Sequence, residues 1–247
     1  MEHLVSSPCC NPDLTLDEAM AMYSAAGFAK FEAFTSWCKS ALDVSADPAG
    51  CLDVAGRHGM RFLSMHLPAI GDDVEAGLET AVRATRFAEA IGAEIVLFKA
   101  SRRENYLKTL PAFLDAIDDL AVTPVVQNHK GTAISSLADC REVLDGVADA
   151  RLKALLEVGH FHLVGVTWDE AYEVLRGRVA LVHLKDIAGG RSVPFGTGEV
   201  DLAGLIATLR ADGYDGDYVI ELEDECRTDV PRYLREAVTL LLPMIEG

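Results

Sequence analysis

The chain has 247 residues and a mass of 26.6 kDa, with half its residues hydrophobic and a quarter charged. A chain of this length buries roughly 70% of its unfolded surface, so its core needs no disulfide or metal staple. Its 22 Lys and Arg against 39 Asp and Glu leave a formal charge of −17, which repels phosphate backbones and anionic lipid and argues against nucleic-acid and membrane partners. No apolar run reaches the ~18 residues of a membrane helix. The start, MEHLVSSPCC, lacks the apolar core of a secretory signal, so a cytoplasmic protein is expected. Cys9, Cys10, Cys38, Cys51, Cys140 and Cys226 form no C-x-x-C pair and no zinc-finger spacing, and they read as reduced thiols.

In chain order, short apolar runs alternate with segments of helical period, and no linker interrupts them. The first strand is expected over His3–Ser6, followed by a helix that Thr15 and Glu18 open as a capping box and Gly27 ends. The second strand is Lys30–Phe34, with a helix over Asp47–His58. The third is Arg61–His66, with a helix from Asp73 to Ile91. Glu94–Lys99 and Thr123–Asn128 are the fourth and fifth, the latter followed by a helix over Ser135–Val147. Leu152–Glu157 is the sixth, with a helix near Asp169–Arg176. Val179–Leu184 is the seventh, with a helix from Asp201 to Ala211. Asp217–Leu222 is the eighth, and a helix over Val230–Met244 closes the chain.

Eight strand–helix units with near-continuous apolar strands predict an α/β fold, a single (β/α)8 TIM barrel over residues 1–247. A doubly wound open sheet is the alternative that alternation alone leaves open. No G-x-G-x-x-G follows a strand and no Walker A sequence is present, which argues against dinucleotide and P-loop chemistry.

A barrel of this kind works at the C-terminal ends of its strands. Those ends carry Glu32, His66, Lys99, Gln127-Asn128-His129, Glu157, His183 and Glu221. Buried ionisable groups are costly unless paired or metal-bound, so such a ring calls for a cation or a polar ligand. Glu157, His183 and Glu221, with Gln127 as a fourth oxygen donor, suit Mn2+, Mg2+, Co2+ or Zn2+ rather than a thiolate-bound zinc. Each residue alone also has a plain structural reading as a helix cap, an ion-pair partner or a rim histidine.

The segments VVQNHKGT, LLEVGHF, LVHLKD, FGTGEVD and GYDGDYVIELE, with GFAKFEAF and His66 earlier in the chain, resemble the xylose isomerase-like TIM barrels, the sugar phosphate isomerase/epimerase group. The resemblance implies a divalent metal held by Gln127, Glu157, His183 and Glu221, where the family usually has Glu, Asp, His and Glu. It places His160 at a position that contacts substrate or a further metal. Gln127 has no basic carboxylate, so a two-base epimerase mechanism using it is not expected; Glu221, Glu157, His160 or a metal-bound water would serve as base. His66, His160, Lys185, Arg191 and Glu32 are expected to contact substrate or orient polar groups. Lys185 is alternatively a partner for Asp186, and Arg191 lies in a Gly-rich cover, GGRSVPFGTG.

The implied activity is isomerisation or epimerisation of a small sugar, keto-sugar or polyol through an enediolate. A dehydratase of a cyclic polyol or keto-acid, and a sugar-binding barrel with a decayed metal site, are the alternatives. A DNA-repair nuclease of the same fold fits neither the charge nor the single strand-end histidines. The resemblance also allows a homo-oligomer.

Overall fold

Eight strands pair in parallel around a closed ring in the computed structural model, which describes residues 1–247 except the side chain of Glu225. They are β1 (Leu4–Ser6), β2 (Lys30–Phe34), β3 (Arg61–His66), β4 (Ile95–Leu97), β5 (Thr123–Gln127), β6 (Lys153–Glu157), β7 (Val179–Leu184) and, after a small hairpin of β8 (Asp186–Ala188) and β9 (Arg191–Val193), β10 (Tyr218–Ile220). The ring runs β1-β10-β7-β6-β5-β4-β3-β2 and closes, so the open-sheet alternative is excluded. Around it lie α1 (Leu16–Ala25), α2 (Ala49–Arg57), α3 (Val74–Ala90), α4 (Arg103–Ala116), α5 (Leu137–Val147), α6 (Val158–His162), α7 (Trp168–Leu175), α8 (Leu202–Ala211) and α9 (Val230–Glu246). No described helix is long and apolar enough to cross a membrane.

Local chemistry sets the helix ends. Thr15 and Glu18 form both arms of a capping box on α1, and Gly27, at φ +94°, turns the chain out of it. Ser136 and Asp139 do the same for α5. The barrel strands are shorter than their apolar runs suggest: β4 stops at Leu97, and β10 covers only Tyr218–Ile220.

Strand alternation divides the core in two. Val5, Leu63, Leu97, Val125, Leu155, Leu181 and Val219 pack together as one cluster inside the barrel, while Leu4, Phe62, Val96, Val126, Leu156, Val182 and Ile220 pack in the layer beneath the helices. The ring is not in uniform register. Phe31 pairs with Phe62 but Glu32 with Ser64, so Leu63 is an extra residue in β3. Ala154 pairs with Val179 but Leu155 with Leu181, which makes Ala180 extra in β7. Each bulge resets the alternation, and beyond them Ser64 meets Glu32 while His183 stands opposite Glu157.

At the other end of the barrel Lys30 Nζ lies 2.6 Å from Asp217 Oδ1, joining β2 to the start of β10 across β1. Both side chains are close to nine-tenths buried. Lys30→Met leaves Asp217 without this partner and is expected to lower the unfolding free energy by about 2–3 kcal/mol, read from urea denaturation. An unchanged stability would mean that apolar packing alone closes this seam.

Candidate active site

The inward positions after the bulges bring the polar strand ends together. His183, fully buried, stands at the centre. Its Nδ1 lies 3.2 Å from Glu157 Oε2 and 3.3 Å from Glu221 Oε1, and its Nε2 lies 3.0 Å from Glu32 Oε1. One ligand atom from each of Glu157, His183 and Glu221 falls within 4.8 Å of the others.

Each carboxylate is held by its own element. Glu157 ends β6 and also caps α6, accepting from Gly159 N at 3.1 Å. Asn128, just past β5, clamps the Glu157 backbone by accepting from its N–H and donating to its C=O. Glu32 accepts from Ser7 Oγ and Ser64 Oγ, both at 3.1 Å, and its Oε1 is 3.2 Å from His66 Nε2. Glu221 divides its oxygens. Oε2 takes the Lys185 ammonium at 2.9 Å, and Oε1 faces His183 and accepts from Cys9 Sγ at 3.0 Å.

Charge explains the protonation preferences. Burial alone would lower the His183 imidazole, but Glu32 and Glu221 outweigh it and hold the ring well above its ordinary value. Burial likewise opposes the Lys185 ammonium, and Glu221, Glu157 and Glu223 overcome it. Glu157 is pushed up by burial despite Lys185. Glu221 goes the other way: Lys185 and His183 outweigh its burial and hold it well below the carboxylate range. Glu32 is held down by His183 and His66 against its own burial. His66 and His160 are lowered by burial to about 4 and about 3, so both are neutral near pH 7.

Beside this centre opens a cavity of about 610 Å³. Its wall includes Gln127, His66, His160, Glu221, Glu223 and Cys9, with Phe34, Phe98 and Trp37 as its apolar side. His66 stacks on Phe34 with ring centroids 3.8 Å apart, and His160 packs on His129 at 3.7 Å. His66 Nδ1 and His160 Nδ1 are buried without a hydrogen-bond partner among the described residues. Trp37, at φ +60°, stands half exposed at the mouth, edge-on to Phe34.

Three of the residues expected to contact substrate are not among those lining this cavity. Glu32 is fully buried and spends its oxygens on His183, His66 and two serines. Lys185 is 1% exposed and pairs with Glu221 and Glu223 rather than with Asp186. Asp186 instead accepts from the N–H groups of Ile187, Gly196 and Gly198. It therefore pins the Gly-rich segment, which is no loose cover: β8 and β9 form a hairpin whose turn, Gly189-Gly190, takes two positive φ values. Arg191 lies exposed on that hairpin. Sequence reasoning missed Cys9 and Glu223. Glu223 carries a signal, standing two residues beyond Glu221, whereas Cys9 lies three residues past the end of β1 and gives none.

A family model described as xylose isomerase-like TIM barrel matches residues 20–244. The L-ribulose-5-phosphate 3-epimerase UlaE of Salmonella paratyphi C is 45% identical over 192 residues, covering 68% of this chain and 66% of that one. The chain thus spans just under two thirds of this relative. Among solved structures, D-allulose 3-epimerase from Methylomonas sp. matches with a TM-score of 0.80 at 17% identity, over 98% of this chain and 97% of that one. The IOLI protein with a bound zinc atom matches at 0.78 and 14%, over 98% of each chain. At these identities the two structures speak to the fold.

The Lys185 stem runs against Gly159, where an added Cβ would meet Lys185 Cβ at 2.7 Å and Cδ at 2.9 Å. Gly159→Ala is therefore expected to cost about 1–3 kcal/mol through overpacking, measured by chemical denaturation. A variant as stable as the parent would show that the lysine stem shifts freely.

Proposed function

Because the chain belongs to the xylose isomerase-like TIM barrel family, we propose that it is a divalent-cation-dependent epimerase or isomerase of a small sugar, moving a proton at a carbon beside a carbonyl. The observation that carries this reading is the convergence of Glu157, His183 and Glu221 on one point, with Glu32 behind the imidazole. The donor set fits a hard or borderline cation. His183 directs Nδ1 toward the two carboxylates while Nε2 meets Glu32, as a metal-bound histidine is usually oriented by a carboxylate on its far nitrogen. Gln127, on the cavity wall, is the candidate fourth ligand through its amide oxygen, with one negative charge fewer than a glutamate. Mn2+, Mg2+, Co2+ and Zn2+ all suit this set.

A cation held by Glu157, His183 and Glu221 would supply polarisation of the substrate carbonyl and offset the charge that develops on deprotonation of the neighbouring carbon. Glu221 is the base we assign, since it lines the cavity and is held ionised by Lys185 and His183. The enediolate so formed regains its proton at carbon. Return by Glu221 to the neighbouring carbon on the same face, with a proton passing between the two oxygens, interconverts aldose and ketose, whereas epimerisation needs a donor on the opposite face of the carbon first deprotonated. Gln127 has no acidic proton to give, and His160, on the same wall but held neutral by burial, offers its unpartnered buried nitrogen to a substrate oxygen rather than a proton to carbon. His66 offers its free Nδ1 to a substrate hydroxyl. The names of the relatives favour epimerisation of a ketose and divide between a phosphorylated pentulose and a free hexulose.

Two experiments test this reading. Glu221→Gln keeps size and some ligation but removes the base, so solvent-deuterium exchange into a panel of ketoses should fall about 10²–10⁴-fold. Gln127→Ala should weaken cation or substrate binding yet leave measurable turnover at saturating Mn2+. A Glu221→Gln protein that exchanges as fast as the parent would remove Glu221 as base. Cation binding should also depend on pH. The cation-free site favours a proton on His183, and burial makes Glu157 hold its proton more readily than an ordinary carboxyl; protons on these groups must leave for them to ligate. Affinity for Mn2+ should therefore rise with pH and be lost as the site protonates, with net proton release in calorimetry. A pH-independent affinity without proton release contradicts the assignment.

A further inference from the structure

Inversion at the carbon beside the carbonyl needs an acid facing Glu221, and the cavity wall narrows the choice. Gln127 offers only an amide. Burial lowers His66, His129 and His160, which favours their neutral forms. The Tyr106 phenol is pushed up to about 12, and Cys9 stands on the side of Glu221 itself, donating to its Oε1. Among the described residues lining the cavity, Lys99 is the only lysine or arginine.

The fold aims this lysine at the required place. Leu97, the last residue of β4, points into the barrel and Phe98 packs beneath the helices, so alternation turns Lys99 inward again. A bridge between Ile70 and Ala100 keeps the chain extended past the end of β4, with the Ile70 N–H donating to the Lys99 carbonyl at 2.9 Å. In the closed ring β4 lies four strands from β10 in either direction, so Lys99 and Glu221 enter the cavity from opposite sides of the barrel mouth. The Lys185 ammonium is seated on Glu221 at 2.9 Å. The Lys99 ammonium instead rests over the Phe34 ring, 5.3 Å from its centroid, and feels Glu32 and Glu221 at longer range. Burial outweighs those carboxylates and lowers it from its ordinary range, so it gives up a proton more readily than a lysine in water.

We propose that Lys99 is the second acid–base group of the reaction, opposite Glu221, and that the chain therefore works as an epimerase. With the carbonyl end of a ketose at Glu157, His183 and Glu221, Glu221 takes the proton from the neighbouring carbon and the C–H electron pair passes into the enediolate. The Lys99 ammonium then gives a proton to the opposite face of that carbon, the enediolate pair forms the new C–H bond, and Lys99 is left as an amine. Exchange with solvent returns Glu221 to the carboxylate and Lys99 to the ammonium, so no co-reactant is consumed. In the reverse direction the two groups exchange roles, for which a lysine tuned by burial is suited. The proposal rests on the reading of Glu221 as base at a centre that holds the carbonyl end.

The test uses two pairs of ketoses epimeric at C3, D-fructose with D-allulose and D-ribulose 5-phosphate with D-xylulose 5-phosphate. Deuterium uptake from D2O and conversion between epimers are measured together on the Mn2+-loaded parent, Lys99→Met and Lys99→Arg. In at least one pair the parent should invert C3 and label the product there. Lys99→Met should lose inversion by about 10²-fold or more, while the epimer whose C3 hydrogen faces Glu221 still takes up measurable deuterium with its configuration retained. Arginine keeps the charge but does not release its proton, so Lys99→Arg should invert no better than Lys99→Met, whereas a lysine acting only as a nearby charge would be rescued by it. Calorimetric dissociation constants for the same ketoses should change far less than the inversion rate, with circular dichroism showing all three proteins folded. Inversion that survives in Lys99→Met or returns in Lys99→Arg overturns the proposal, as does a loss of affinity that accounts for the whole effect. A parent that exchanges without inverting also removes Lys99 while leaving Glu221 as base, and a parent that exchanges with neither pair removes the proton-transfer reading itself.

Discussion

Three carboxylates meeting one imidazole inside a barrel is an arrangement that water cannot relieve. Glu32, Glu157 and Glu221 are all essentially buried, and each has an oxygen within 3.3 Å of His183. Left as bare anions they would repel one another strongly at such distances. The surroundings answer with positive charge: a proton is favoured on His183, and the Lys185 ammonium stands against Glu221. A divalent cation answers the same need with more charge and fixed geometry. The central claim is that this concentration of buried negative charge is a cation site with its own counter-ion, Lys185, built beside it.

Much of the remaining structure serves that centre. The extra residues Leu63 and Ala180 turn Ser64 and His183 to their partners. Gly159 leaves room for the Lys185 stem and gives its N–H to Glu157. Asp186 ties down the Gly-rich segment that follows β8. None of these residues needs to touch substrate. They fix the rotamers of Glu157, His183 and Lys185 at the centre.

The barrel was legible because short, near-continuous apolar runs and period-3.6 segments alternate without a break, and because strand-end positions are fixed once strands are assigned. Glu157, His183 and Glu221 could be singled out for that reason, as could Thr15 and Glu18 at the start of α1. What lay beyond reach depended on packing between distant segments. Lys185 and Asp186 are neighbours in sequence, yet one turns to Glu221 and the other to Gly196 and Gly198; alternation puts them on opposite sides but does not name their partners. That Glu32 orients a polar group is legible in the sequence, but that the group is His183 depends on packing across the barrel. Cys9 reaches Glu221 across 212 positions, and a lone cysteine near the start of a chain gives no hint of that.

The most direct test is anomalous diffraction from crystals of the Mn2+-loaded protein, recorded above and below the manganese edge. The account predicts one peak within ligand distance of Glu157, His183 Nδ1 and Glu221, about 2.0–2.3 Å from each, with Glu32 still on His183 Nε2. A peak elsewhere, for instance between Cys9, Glu221 and Glu223, which also gather within 4.8 Å, would contradict it. So would full absence of manganese from the centre with the Lys185 ammonium still seated on Glu221.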